Sequence, residues 1–267
     1  MTKSDFIPPI ITRFISGLNL FKSYGWFGNF SAWAEAMKQA EGYDGGAIFE
    51  KVKSATLKVK NNEAVYERDS ILFDEIEYSW PLLAALMWVA ARKDGKLSVL
   101  DFGGSLGSTY YQNRAFYDGL KEVRWSIVEQ EHFVEAGNSQ FKSDQLRFYK
   151  TIQECMKIEN SAVVLFSCVL QYLERPYDTI KEAFQGNAEY IVIDSMPFNT
   201  SEKDRLTIQK VNPLIYKASY PCWLLNRSEF LQFFKGQYSL VAEFKSHLYI
   251  KVDGETIPYE GFIFKKS

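Results

Sequence analysis

From Leu97 onward, short apolar or β-branched runs alternate with stretches of helical pattern, and this alternation limits the fold more than any other feature of the chain. The runs cover 97–102, 123–129, 146–149, 162–167 and 189–194. Strands separated by helices pair in parallel, and a parallel sheet must be covered on both faces. The expected class is therefore α/β with a Rossmann-like sheet. Two later strands are expected over 238–244 and 261–265, after a helix that Asn226 caps with Glu229 three positions on.

The first third carries a different pattern. Ile10, Ile11, Phe14, Ile15, Leu18 and Phe21 share one helical stripe behind Pro8 and Pro9, and further helices are expected over 31–40, capped by Ser31, over 47–60 and over 74–92. The connector 66–73 is charged and aromatic. The pattern changes near Lys96, which divides the chain into an N-terminal helical cap, 1–95, and a Rossmann-like domain, 96–267.

Composition removes several function classes. Lys plus Arg number 31 against 33 Asp plus Glu, a net charge of -2, so no positive field exists to hold a nucleic acid. The uncharged stretch 80–91 falls short of the ~20 residues that cross a bilayer, and the run 7–20 is broken by Pro8, Pro9 and Arg13, so neither a membrane span nor a signal peptide is expected. Cys155, Cys168 and Cys222 form no Cys-x-x-Cys pair, the usage of a reducing compartment, and a cytoplasmic location follows as an expectation. His132 and His247 stand far apart with no neighbour at a metal-ligand spacing, so no metal is expected.

The segment 99–108 runs an apolar strand into the turn Asp101-Phe102-Gly103-Gly104-Ser105-Leu106-Gly107 before an expected helix. In open α/β sheets ligands bind beyond the carboxyl end of such a strand, where glycines allow close backbone approach. The spacing excludes two ligands. A dinucleotide fingerprint fails because Ser105 and Ser108 stand where its later glycines belong, which sets aside a nicotinamide oxidoreductase; a P-loop fails for want of a Gly-Lys ending. Asp101 would repel a pyrophosphate but attract an ammonium. Glu129 ends the second expected strand, where an acid can accept both hydroxyls of a ribose. S-adenosylmethionine, a cationic nucleoside bearing an amino acid, meets both requirements.

On these residues the chain resembles the class I S-adenosylmethionine-dependent methyltransferases. More narrowly it is similar to a bacterial family of methyltransferases often found near surface-polysaccharide genes, through Tyr24-Gly25-Trp26-Phe27-Gly28, Tyr66-Glu67-Arg68-Asp69, the glycine turn, Val128-Glu129-Gln130 and Ala218-Ser219-Tyr220-Pro221. The resemblance implies a sheet of seven strands with the last antiparallel, and a cofactor site at Asp101, Gly103, Gly104, Ser105, Gly107, Glu129, Gln130 and Ser167. It also implies methyl transfer to a small-molecule or saccharide acceptor. Ser167-Cys168-Val169-Leu170-Gln171-Tyr172 looks like the fourth-strand motif that lines the cofactor pocket. Two departures stand out: Ser105 replaces a glycine, and Gln171-Tyr172 stands where histidine is frequent. They keep open a second reading, a methyltransferase-like binding or assembly module without activity.

Methyl transfer from a sulfonium can run on positioning alone, so a base is needed only for a protonated acceptor. No catalytic residue is assigned from the sequence. Substrate candidates are Arg68 and Asp69 in the connector, Asp194 at the end of the fifth expected strand, and Tyr216 and Tyr220, which with Trp223 form an aromatic cluster. Surface ion pairing, solvated strand ends and ordinary core packing explain the same residues. Tyr110 or Tyr111 is expected near the cofactor, and His132 beside it or at a helix cap.

Overall fold

The computed structural model describes residues 24–40, 45–199, 201–212 and 218–267, without the side chains of 45, 47 and 247. The expected helical stripe over 10–21, Tyr216 and the His247 side chain lie outside the described residues.

The elements run β1 (Gly25–Phe30), α1 (Trp33–Gln39), α2 (Gly45–Lys60), β2 (Tyr66–Arg68), β3 (Ile71–Phe73), α3 (Trp80–Arg92), β4 (Lys96–Phe102), α4 (Ser108–Asn113), β5 (Glu122–Val128) and α5 (Glu131–Ala136). They continue β6 (Leu146–Tyr149), α6 (Ile152–Ile158), β7 (Val163–Ser167), α7 (Pro176–Gln185), β8 (Tyr190–Asn199), β9 (Arg205–Lys210), β10 (Ser219–Asn226), α8 (Arg227–Phe234), β11 (Tyr238–Val252) and β12 (Glu255–Lys266).

Seven strands form the body of the sheet in the order β6-β5-β4-β7-β8-β12-β11. The first five are parallel, and β12 lies antiparallel between β8 and β11. This is the Rossmann-like sheet expected, with its antiparallel strand at the end of the chain. The chain enters at β4, builds outward through β5 and β6, then returns to the other side of β4 with β7 and β8. That reversal opens a crevice beyond the carboxyl ends of β4, β5 and β7. Both faces are covered, as a parallel sheet requires: α3 packs Leu82, Leu86 and Val89 with Leu97, Val99 and Trp125 on one side. On the other, Ile152, Ile180 and Phe230 from α6, α7 and α8 pack with Leu100, Val164 and Phe166.

The sheet has ten strands rather than seven. Every residue of β8 is buried, so the strand runs on past its expected end at Asp194, and its last residues Phe198 and Asn199 pair with Leu225 and Asn226 of β10. Strands β9 and β1 extend this branch antiparallel. The pairing of β8 with β12 is broken by a bulge: Ile193 faces Phe262 and Met196 faces Glu260, so Asp194 and Ser195 together stand opposite Gly261, with Ser195 at φ 55. Bulges re-aim side chains, and this one holds Asp194.

The first third is not all helix. Residues 25–30 form β1 and join the sheet, while the connector 66–73 is the hairpin β2-β3, turned by Asp69 and Ser70 at φ 51 and 70, the two positive angles of a two-residue turn matched to strand twist. Ser31 is not the cap of α1: Ala32 holds that position without a side-chain bond, and Ser31 instead donates its N–H and hydroxyl to Glu35 at 3.1 and 2.8 Å. The third expected helix begins at Trp80 rather than at 74, with Pro81 in its first turn. The Asn226 cap is as expected, its Oδ1 accepting the Glu229 N–H at 2.7 Å.

Candidate functional site

The glycine turn sits at the end of β4, facing β7. Gly103 (φ 72) donates its N–H to the Val128 carbonyl at 2.9 Å, and a Cβ there would lie 2.4 Å from Val169 Cγ2. A Cβ on Gly104 would lie 2.5 Å from Asp101 Oδ2. The turn therefore cannot carry side chains at these two positions without displacing the residues beneath it. Gly107 (φ 105) precedes α4, and Ser105 holds a left-handed φ of 55 that favours glycine.

Asp101 is buried at 1% exposure and accepts the Trp125 indole N–H at 3.0 Å. Burial pushes its carboxyl up to about 7, the Trp125 donor pulls it down, and Glu129 and Asp194 raise it further. Such a carboxyl titrates in the neutral range and gains from a cation. Glu129 follows β5, and its carboxylate accepts the Gln130 N–H at 2.7 Å; burial raises its pKa, while the backbone of Gln130 and of Ser105 lowers it. The acid thus reaches across to the turn. Gln130 precedes α5 with its side chain exposed. A glycine cradle between two raised acids fits a cationic nucleoside with an amino-acid tail.

A second cluster forms at the end of β7 and the bulge within β8. The Ser167 hydroxyl donates to Asp194 Oδ2 at 2.8 Å, Ser195 donates to the same oxygen at 3.1 Å, and Ser79 reaches Oδ1 at 3.3 Å. Asp194 is buried at 3% exposure, not solvated at a strand end. The hairpin brings Arg68 to this cluster: burial lowers its pKa, but Tyr66, Cys168, Asp69 and Asp194 outweigh that and raise it. Asp69, exposed at the hairpin turn, also lies within electrostatic reach of Cys168. On the far wall Tyr172 donates to Gln209 at 2.9 Å and meets the Tyr220 ring edge-on at 5.2 Å. The structure thus brings Arg68, Asp69 and Asp194 together, with Tyr220 behind Tyr172; Trp223 departs from that cluster to stack on Trp33 at 6.2 Å.

Five residues join the site that the sequence did not place there. Trp125 holds Asp101, Ser79 holds Asp194, and Glu67 accepts hydroxyls from Thr56 at 3.3 Å and from Ser108 at the start of α4. Tyr172 and Gln209 complete the wall. Glu67 and Tyr172 carried a signal, since they lie inside the motifs Tyr66–Asp69 and Ser167–Tyr172. Tyr111 packs beneath the turn, 3.3 Å from where a Gly107 Cβ would stand, while Tyr110 bonds Gln145 at 2.7 Å. His132 sits in the first turn of α5, edge-on to Phe49 at 4.9 Å. Among the described residues no His, Cys, Asp and Glu group could hold a metal ion, and no helix is long and apolar enough to cross a membrane.

The chain matches no protein-family profile and no curated protein. Among solved structures it is similar to the N-terminal domain of EvdMO1, crystallised in the presence of SAH and D-fucose, at 12% identity over 85% of this chain and 98% of that one, with a TM-score of 0.47. It is also similar to the Burkholderia thailandensis 1,6-didemethyltoxoflavin-N1-methyltransferase, at 12% identity over 91% and 94% of the two chains, with a TM-score of 0.46. A third is a S-adenosylmethionine-dependent methyltransferase from Clostridium acetobutylicum, at 10% identity over 68% and 89%, with a TM-score of 0.42.

Proposed function

We propose that this chain is a S-adenosylmethionine-dependent methyltransferase of the class I type, acting on a small-molecule or saccharide acceptor in the cytoplasm. One observation carries the reading: Asp101 and Glu129 flank a turn that tolerates no side chain at Gly103 and Gly104, at the point where the sheet order reverses. Asp101 would hold the ammonium end of the cofactor and Glu129 its ribose, with Gly103, Gly104, Ser105 and Gly107 giving the backbone room. Gln130 and Ser167 would border it. When bound, the cofactor supplies an electrophilic methyl group.

The chain's own contribution is placement. Asp194 accepts three hydroxyl donors and so fixes Ser167 and Ser79 at the cleft rather than standing free as a base. The half-buried Arg68 and the exposed Asp69 would position an acceptor and help to exclude water. The cap, 1–95, supplies these two residues through the hairpin and serves as part of one unit with 96–267.

Calorimetric titration with S-adenosylhomocysteine tests the proposal. Saturable binding in the low-micromolar range is expected. Absence of heat would support the inactive binding module, and saturable binding of NADH would revive the oxidoreductase.

A further inference from the structure

The hairpin β2-β3 carries a cation into a cleft lined by acids. Its backbone has little freedom: the turn at Asp69 and Ser70 is tight, Glu67 is tied to Thr56 and Ser108, and Gln112 reaches the Tyr66 hydroxyl at 3.3 Å. Arg68 closes β2 opposite Ile71 and lies within electrostatic reach of Cys168, Asp194 and Tyr259. Among the described residues its guanidinium makes no hydrogen bond or ion pair. The nearby carboxylate of Asp194 is occupied by Ser79, Ser167 and Ser195.

A guanidinium offers five N–H donors in a planar fork, and the half-buried Arg68 keeps donors for a ligand while Asp69 and Asp194 supply only nearby charge. Such a group suits a ligand that brings its own negative charge. A carboxylate or phosphate matches the fork with two parallel bonds. The methionine end of the cofactor falls to Asp101 at the end of β4, whereas the neighbours of Arg68 are Cys168, just after β7, and Asp194, at the bulge within β8. One strand separates β4 from β8, which sets the two strands about 10 Å apart. Tyr172 lies within electrostatic reach of Cys168, as Arg68 does, and meets the Tyr220 ring edge-on at 5.2 Å.

We propose that Arg68 anchors an anionic group, a carboxylate or a phosphate, carried by the methyl acceptor. This deepens the methyltransferase reading and rests on it. The acceptor is then an acidic small molecule, its charge on Arg68 and its body against the Tyr172–Tyr220 wall.

The test follows the backbone N–H resonances of the hairpin β2-β3 by NMR in the full chain loaded with S-adenosylhomocysteine, titrated with inorganic phosphate and separately with glucuronate. Saturation in the millimolar range by at least one probe is expected, weakened about tenfold or more in Arg68→Gln, a loss of roughly 1.4 kcal/mol, and partly kept in Arg68→Lys. Saturation by phosphate alone assigns a phosphorylated acceptor; saturation by glucuronate alone assigns a carboxylic acid. If neither saturates the wild-type chain, the proposal falls, whatever the variants do. It also falls if Arg68→Gln lowers S-adenosylhomocysteine affinity about tenfold or more and removing the ligand's carboxylate abolishes that difference, because Arg68 then serves the cofactor. Should the wild-type chain not bind S-adenosylhomocysteine, the same titrations on the ligand-free chain separate the two claims: the methyltransferase reading fails there, and the anion site stands or falls alone.

Discussion

The indole N–H of Trp125 on β5 donates across 3.0 Å to Oδ2 of Asp101 on β4, and both side chains are buried. The bond aims the carboxylate beneath Gly104 and leaves its charge only partly compensated. Burial therefore holds the Asp101 pKa up at about 7.

That position has a definite sign. A folded pKa raised above the unfolded value of ~4 means that the folded state keeps a proton the unfolded chain has lost, so this contribution to stability is complete below pH ~4 and is lost as pH rises through about 7. A ligand ammonium favours the ionised carboxylate. Affinity for S-adenosylhomocysteine should therefore rise with pH up to about 7 and level off above it. Calorimetry across this range checks it: Asp101→Asn should flatten the profile, and Trp125→Phe should move its midpoint upward.

Asp101→Ala and Glu129→Ala should each weaken S-adenosylhomocysteine binding by ~1–3 kcal/mol, the range for charge-assisted hydrogen bonds, while thermal unfolding stays cooperative. Binding equal to that of the parent in both variants would remove the acid pair from the site.

Ser105 sits at φ 55, where an L side chain is strained by ~1–2 kcal/mol. Replacement by glycine should stabilise the fold by about 1 kcal/mol after the extra freedom of the unfolded chain is subtracted. Chemical denaturation measures this directly, and a destabilised variant would mean that the serine hydroxyl makes a bond worth more than the strain.

Removal of residues before Lys96 deletes β1 from the sheet edge, α1 from Leu206 and Ile208, and α3 from the face of Leu97 and Trp125. The truncated chain should aggregate, because a large apolar face is left open. A soluble product with unchanged cofactor binding would make the first 95 residues a separate domain.

Turnover should depend on the hairpin more than on a proton carrier. Once an acceptor is found by screening nucleotide sugars, glycans and small metabolites with labelled cofactor, Arg68→Ala or Asp69→Ala should lower kcat at least about tenfold, roughly 1.4 kcal/mol. Cofactor affinity should hardly change. Full activity in both, beside a large loss in Asp194→Asn, would place the chemistry at β8 instead.

By itself the sequence determined what depends on neighbours along the chain. Strands β4 to β8 were legible because their apolar runs are contiguous, and Asp101, the glycine turn and Glu129 because strand ends carry them together. The tertiary structure alone decided what depends on distant partners. Ser79 and Asp194 meet across 115 positions, Tyr172 and Gln209 across 37, and no local pattern marks either pair. The same holds for β1, which is a strand because β9 offers it an edge, and for the bulge at Asp194, a register shift of β8 against β12. Backbone pairing is satisfied between segments, so the pattern within one segment cannot reveal which edge it will find.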